Sequence, residues 1–159
     1  MNRRTITISQ VAFSSAILAF LLLVPFKSLT AQTKDTGTLT VRVTGARNTK
    51  GKIGVTLFQN ARGFPDDTSK AIRQESVEID PKTMSAQVMF KDLPQGTFAI
   101  SVLHDENGNG KMDKNFVGMP KEGYGASNNP SKKRRAPTFD EAKFSLNTSE
   151  QAIEITLLY

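Results

Sequence analysis

The segment DENGNGKMD, residues 105–113, places oxygen-bearing side chains at alternate positions and then a glycine. This spacing matches the beginning of the calcium-loop pattern D-x-[DN]-x-[DN]-G. Calcium takes about six to eight oxygen ligands, and alternate side chains of a turning loop converge on one point. The pattern predicts a metal site formed by the following ligands: Asp105, Asn107, Asn109, the main-chain carbonyl of Lys111, and Asp113.

The segment departs from the calcium pattern where most of the ligand charge is expected. The twelfth position, a bidentate glutamate in the pattern, is Phe116 here. Glu122 or Asp140 could supply a further carboxylate from elsewhere in the fold. Any calcium affinity should therefore be weak, with a Kd of about 10⁻⁴–10⁻³ M. The alternative is a turn without an ion, because Asp and Asn side chains hydrogen-bond to their own backbone and glycine adopts left-handed conformations freely.

His104, the one histidine of the chain, stands immediately before this segment. Its phase along a strand places it on the inward face, so we expect a packed and hydrogen-bonded histidine. A zinc site would need three or four ligands. A small envelope hydrolase that uses His104 and loop carboxylates is the competing hypothesis, and an accessible pocket with carboxylates around His104 would favour it. Since no nucleophile with a placed base stands out, we assign no catalytic and no cofactor-binding residue.

The basic run Lys132-Lys133-Arg134-Arg135 follows the candidate loop. The whole chain carries a formal charge of +6; three of its basic residues and no acid lie in residues 1–31, which leaves +3 (6 − 3) for the remainder. So small a charge, without aromatic residues between the basic ones, argues against a nucleic-acid partner. A solvated loop face and a contact with an anionic envelope partner are the remaining interpretations of the run.

Seven segments with period-2 alternation must position these residues, and each is typical of a half-buried strand. The alternation predicts the following inward-facing side chains: Leu39, Val41, Ile53, Val55, Val88, Phe90, Phe98, Ile100, Val102, Phe144, Ile153 and Ile155. The first two strands, separated by turn residues 48–51, are expected to form a hairpin or to lie side by side. Seven short strands without a long amphipathic helix predict an all-β fold, a two-sheet sandwich, with a small closed barrel as the alternative.

Residues 105–135 show no strand periodicity and predict one long loop. Loops beyond about 15 residues are usually functional or disordered. We expect an ordered loop, fixed to the domain by its apolar side chains: Met112, Phe116, Val117, Met119 and Tyr124.

The first 31 residues predict export. A basic head at Arg3-Arg4 precedes the apolar run 11–24, and small residues follow up to Ala31, the order found in a secretory signal peptide. The apolar run has about 14 residues, fewer than the ~20 that a membrane-spanning helix needs, so cleavage after Ala31 is favoured over anchoring. The expected organisation is a signal peptide 1–31, a polar lead-in 32–36 and a sandwich domain 37–159, located in the periplasm or outside the cell. Without cysteine, this domain must rest on its apolar core.

Several strings resemble the blocks of the domain of unknown function 2141 family, small exported bacterial proteins: HDENGNGKMDKNFVGMPKEGYGASNNP, GFPDD, DLPQGTFAISVLHDENGNG and PTFDEAKFSL. The resemblance covers residues 37–159. The stretch LPQGTFAISV is also similar to transthyretin-like and carboxypeptidase-regulatory-like sandwiches, which implies an immunoglobulin-like or prealbumin-like β-sandwich. The resemblance implies no activity, and fold analogy supplies none. The expected function is therefore an exported binding or structural module with an unknown envelope or extracellular ligand, and no oligomeric state is indicated.

Overall fold

The computed structural model describes residues 35–130 and 135–159, which contain eight strands and two short helical segments. The strands are β1 (Thr36–Thr44), β2 (Lys52–Phe58), β3 (Arg73–Val77), β4 (Ala86–Pro94), β5 (Gly96–Asp105), β6 (Gly123–Ala126), β7 (Phe144–Leu146) and β8 (Glu150–Thr156). A 3₁₀ turn spans Thr68–Lys70, and helix α1 spans Phe139–Ala142. The predicted signal peptide and residues 132–134 of the basic run lie outside the described residues. Within the described part of the chain, no helix is long and apolar enough to cross a membrane.

The strands form two sheets, as expected for a β-sandwich. In the first sheet β1 lies between β4, which is antiparallel to it, and β8, which is parallel to it. The second sheet has the order β3-β2-β5-β6, and β7 pairs with the beginning of β5. The expected hairpin between the first two strands is wrong, because β1 and β2 lie in different sheets. Alternation shows which face of a strand is buried but does not identify its partner.

Apolar side chains from both sheets fill the space between them. All twelve side chains predicted to face inward belong to this core: ten are buried, while Phe144 and Ile153 are half-buried and pack against it. The inward phase of the predicted strands is therefore confirmed.

A second, smaller apolar layer includes residues of β5, β6 and α1: its buried members are Ala99, Ala126 and Ala142. The Phe64 ring makes edge contacts with Phe58 and Phe139, at centroid distances of 5.4 and 6.0 Å. Helix α1 begins with a capping box, in which Thr138 and Glu141 hydrogen-bond to each other's main-chain N–H. The cap and the apolar contacts together place α1 beside β5.

The segment predicted as one long loop, 105–135, contains a strand. β6 pairs with β5 from Gly123 to Ala126, and its sequence GYGA gave no alternation by which to find it. A Cβ on Gly125 would lie 2.7 Å from a methyl carbon of Ile155, so the missing side chain permits close packing. The expected apolar anchoring of the loop is also wrong in part, since Phe116, Val117 and Met119 are exposed, whereas Met112 and Tyr124 are half-buried.

Candidate functional site

The candidate loop begins at the last residue of β5 and is wrapped around the side chain of Asp105. One carboxylate oxygen, Oδ1, accepts hydrogen bonds from the N–H groups of Gly108 (2.9 Å) and Asn109 (3.0 Å). The other, Oδ2, accepts from the N–H of Gly110 at 2.8 Å. Gly108 and Gly110 have φ values of 75° and 73°, which glycine adopts at little cost. The sequence pattern of alternating oxygens and glycines thus produces the tight turn that it predicted.

The side chains of Asn107, Asn109 and Asp113 face one another across this turn. The amide nitrogens of Asn107 and Asn109 donate to the two carboxylate oxygens of Asp113, at 2.7 and 3.1 Å. The amide oxygen of Asn107 accepts from the N–H of Asn109 (3.0 Å), and that of Asn109 accepts from the N–H of Lys111 (2.7 Å). Asn109 therefore contacts both Asp105 and Asp113, and four of the five predicted ligands belong to one hydrogen-bonded cluster. The fifth predicted ligand, the carbonyl of Lys111, forms no hydrogen bond with any described residue.

Glu122 holds the two ends of the loop together, a role that the sequence did not indicate. Its side chain is only 4% exposed. Oε1 accepts from the N–H of Glu106 at 2.9 Å, and Oε2 accepts from the N–H of Asp113 at 3.0 Å. Asp140, the other carboxylate considered as an additional ligand, instead lies exposed on α1 and pairs with Lys143 at 2.9 Å.

The cluster offers oxygen donors of the kind that a hard cation prefers. Among the residues that the structure describes, no group of three or more His, Cys, Asp or Glu side chains is arranged to hold a metal ion. A cation at this loop would therefore need amide oxygens in addition to the carboxylates of Asp105 and Asp113. The amide nitrogens of Asn107 and Asn109 face Asp113, while their oxygens accept main-chain N–H groups, so an amide oxygen could bind a cation only through its second lone pair or after release of that N–H.

His104, the residue before the loop, is fully buried. Its Nε2 lies 2.9 Å from the carbonyl oxygen of Lys50, and because a carbonyl only accepts, Nε2 carries the proton. In the neutral ring Nδ1 is then an acceptor, and the Tyr159 hydroxyl donates to it at 2.6 Å. The same hydroxyl accepts from the N–H of Arg47 at 3.0 Å. The predicted packed histidine is confirmed, and the hydrolase hypothesis gains no support, since a general base must reach its substrate.

Arg47, from the connection between β1 and β2, ties the base of the loop to Tyr159. Its guanidinium lies 4.6 Å from the centre of the Tyr159 ring. The same group contacts Glu106 at 2.6 Å in an ion pair and donates to the carbonyl of Lys121 at 3.0 Å. Glu106 lies at the beginning of the loop and Lys121 just before β6, so Arg47 holds these two segments together.

Two ionisable groups at this base have shifted pKa values. Burial acts to raise the pKa of Glu106, but hydrogen bonding to Asn48 and Arg47 and the charge of Arg47 outweigh it, so that the pKa is lowered. Burial raises the pKa of Tyr159, and the nearby Glu106 carboxylate adds to the increase. Glu106 therefore carries its charge, and Tyr159 keeps its proton, over an extended pH range.

Two cavities of the described fold lie away from His104. One, of about 30 Å³, is lined by residues that include Tyr124, Asn129 and Glu141, and it has room for a water molecule. A shallow depression of about 280 Å³ lies beside Arg42 and Asp80 and is lined mainly by polar side chains. Neither cavity contacts the 105–113 loop, so the loop's own surface is the candidate site.

Comparison with known families identifies a family model that matches most of the chain. The model of the family described as "Uncharacterized protein conserved in bacteria (DUF2141)" matches residues 41–154, which include the whole candidate loop and at least part of every strand. Neither the curated proteins nor the solved structures contain a significant match to this chain.

Proposed function

We propose that this chain, which belongs to the DUF2141 family, is an exported β-sandwich module of the bacterial envelope with a calcium-binding loop at residues 105–113. The family description gives no activity, so the proposal rests on the geometry of the loop. Residues 1–31, with their order of basic, apolar and small residues, support export to the periplasm or beyond the cell. The two sheets support an immunoglobulin-like or prealbumin-like arrangement as the finer fold class.

The observation that carries the calcium proposal is the placement of two carboxylates against one residue. Asn109 donates its N–H to Asp105 and its amide N–H to Asp113, at 3.0 and 3.1 Å. Like charges held around one side chain repel each other, and a divalent cation between them would remove that repulsion. Asp105 accepts three hydrogen bonds, whereas a carboxylate has about four lone-pair sites, so it retains acceptor capacity for an ion.

An ion-free turn is the competing explanation of the same contacts. The hydrogen bonds that main-chain N–H groups donate to Asp105, Asn107 and Asn109 also fit an Asx-rich turn, in which side chains cap their own backbone. The two explanations differ in one measurable respect. A cation that binds only the folded state raises the stability of that state by RT ln(1 + [L]/Kd), whereas a self-sufficient turn responds to neither calcium nor a chelator.

Thermal unfolding in calcium and in chelator tests the proposal. With a Kd of about 10⁻⁴ M and about 10⁻² M calcium, the gain is about 2.7 kcal/mol, or a rise in melting temperature of roughly 10 °C for a domain of this size. Asp105→Ala should abolish the gain. Asn109→Ala should weaken it less, because an amide oxygen brings no net charge. Magnesium should substitute poorly, because it requires a smaller octahedral shell and releases its waters reluctantly.

Asp67→Ala is the matched control. Asp67 caps the 3₁₀ turn by accepting from the N–H of Ser69 at 3.1 Å, so its loss removes a similar turn contact far along the chain from the loop. This variant should keep the full response to calcium. If wild type melts at the same temperature in calcium and in chelator, the ion-free turn is the better explanation.

A further inference from the structure

The hairpin between the candidate loop and β6, residues 113–121, exposes three neighbouring apolar side chains. Phe116 is 100% exposed, Val117 65% and Met119 53%. Single exposed apolar residues are common on protein surfaces, but a contiguous apolar group marks a contact with a protein or a membrane. The hairpin tip is therefore a candidate interaction surface, separate from the calcium loop.

Hydrogen bonds hold this tip in one conformation. The N–H of Asn115 donates to the carbonyl of Met119, and the N–H of Gly118 donates to the carbonyl of Asn115, both at 2.9 Å. The Asn115 side-chain oxygen accepts from the N–H groups of Val117 (3.0 Å) and Met119 (2.9 Å). At the base, the N–H of Lys121 donates to the carbonyl of Asp113 at 2.8 Å. Because the turn is built by these bonds and not by apolar contacts, its apolar side chains remain available to a partner.

Three lysines flank the apolar tip along the chain. Lys114 and Lys121 are exposed and lie on the two arms of the hairpin, and Lys111 is exposed just before it. None of the three ammonium groups forms an ion pair with any described residue. The one acid of the hairpin, Asp113, receives hydrogen bonds from Asn107 and Asn109. An apolar tip flanked by exposed lysines is complementary to a bilayer with anionic headgroups, where acyl chains accept the apolar groups and phosphates attract the lysines.

We infer that the 113–121 hairpin is a membrane-contact surface, which inserts Phe116, Val117 and Met119 into the interface of an anionic phospholipid bilayer. Burial of a Phe side chain favours partitioning by about 10-fold or more. Each lysine near an anionic surface contributes about a further fivefold. This inference goes beyond the proposed calcium site and does not rest on it, because the bonds of the turn lie within the hairpin. All binding is therefore measured in chelator, so that a failure of the calcium proposal leaves this test unaffected.

The chain contains no tryptophan, which permits a direct test of insertion. Phe116→Trp places a single indole at the tip, and Met89→Trp places one at another exposed apolar site, 49% exposed on β4 of the first sheet. On addition of vesicles of phosphatidylcholine and phosphatidylglycerol, the emission of Phe116→Trp should move to shorter wavelength. The emission of Met89→Trp should stay unchanged. The inference is overturned if the tip indole shows no shift, or if both indoles shift alike.

Vesicle sedimentation measures the contribution of the tip to affinity. Replacing Phe116, Val117 and Met119 together with serine should weaken binding to anionic vesicles by about 10-fold or more, whereas Met89→Ser should bind like wild type. Any contribution from residues 1–34 is common to all variants and cancels in the comparison. Raised salt, or vesicles of phosphatidylcholine alone, should also weaken binding of wild type. Equal binding by wild type and the triple variant, or no binding by wild type, would overturn the inference and favour a protein partner for the tip.

Discussion

Replacement of Glu122 tests whether one buried carboxylate holds the candidate loop closed. Glu122→Ala removes the acceptors of two main-chain N–H groups, those of Glu106 and Asp113, at 2.9 and 3.0 Å. A hydrogen bond to a charged group contributes about 1.5–3 kcal/mol, and both donors are half-buried, so water recovers part of the loss. We therefore expect the free energy of unfolding to fall by about 2–3 kcal/mol. Glu122→Gln, which keeps one acceptor oxygen, should lose about half as much.

Two measurements on these variants, both made in chelator, separate local from global effects. Urea unfolding reports the change in global stability, and hydrogen exchange at the amides of residues 106 and 113 reports opening of the loop alone. If the loop opens independently of the sandwich, the exchange rates rise more than the urea midpoint falls. Unchanged exchange at both amides together with an unchanged midpoint in Glu122→Ala would refute the role assigned to Glu122.

Three further predictions concern the core, the stability of the fold at acidic pH, and export. Phe98 is fully buried in the main core, so Phe98→Ala should lower the free energy of unfolding by about 3–5 kcal/mol. As a control, Phe116→Ala removes a fully exposed ring and should change this free energy by less than about 0.5 kcal/mol. Urea midpoints of the two variants test the difference. The pKa of Glu106 is lower in the folded state than in the unfolded chain, so as pH decreases the unfolded chain takes up this proton before the folded state does. The ionised Glu106 therefore stabilises the fold above about pH 4.3, and this stabilisation is lost as pH falls through the folded pKa. As pH is lowered from about 6 to about 3, the urea midpoint should fall less steeply in Glu106→Gln than in wild type. Intact mass after expression in a bacterium should show a chain that begins at Gln32, and a membrane-retained chain that keeps residues 1–31 would contradict cleavage.

The sequence predicted what depends on local pattern. Period-2 alternation placed Val41 and Ile100 on inward faces, because successive side chains of a strand point to opposite faces and one face packs in the core. Both side chains are fully buried. The turn at residues 105–110 could also be predicted, because Asx residues and glycines form such turns through hydrogen bonds between residues only a few positions apart.

Contacts between distant residues could not be predicted in the same way. The ion pair between Arg47 and Glu106 joins two connections that follow strands of different sheets, and nothing in either local sequence indicates the other. The short strand β6 escaped detection because Gly123 and Gly125 carry no side chain to show a phase. In both positions the glycine permits close contact, since a Cβ would meet the Tyr159 ring or Ile155 within 2.7 Å, which is a property of the folded state alone.

The pairing of β1 with β8 has a mechanical consequence. The two strands run parallel, in register from Thr38 opposite Glu150 to Thr44 opposite Thr156. A tension that pulls on the chain before β1 and after β8 would drive these strands in opposite directions along their length. The inter-strand hydrogen bonds of a parallel ladder are evenly spaced, so they would share the load in shear instead of breaking one after another. The sandwich should therefore resist extension along the chain through its first and last strands.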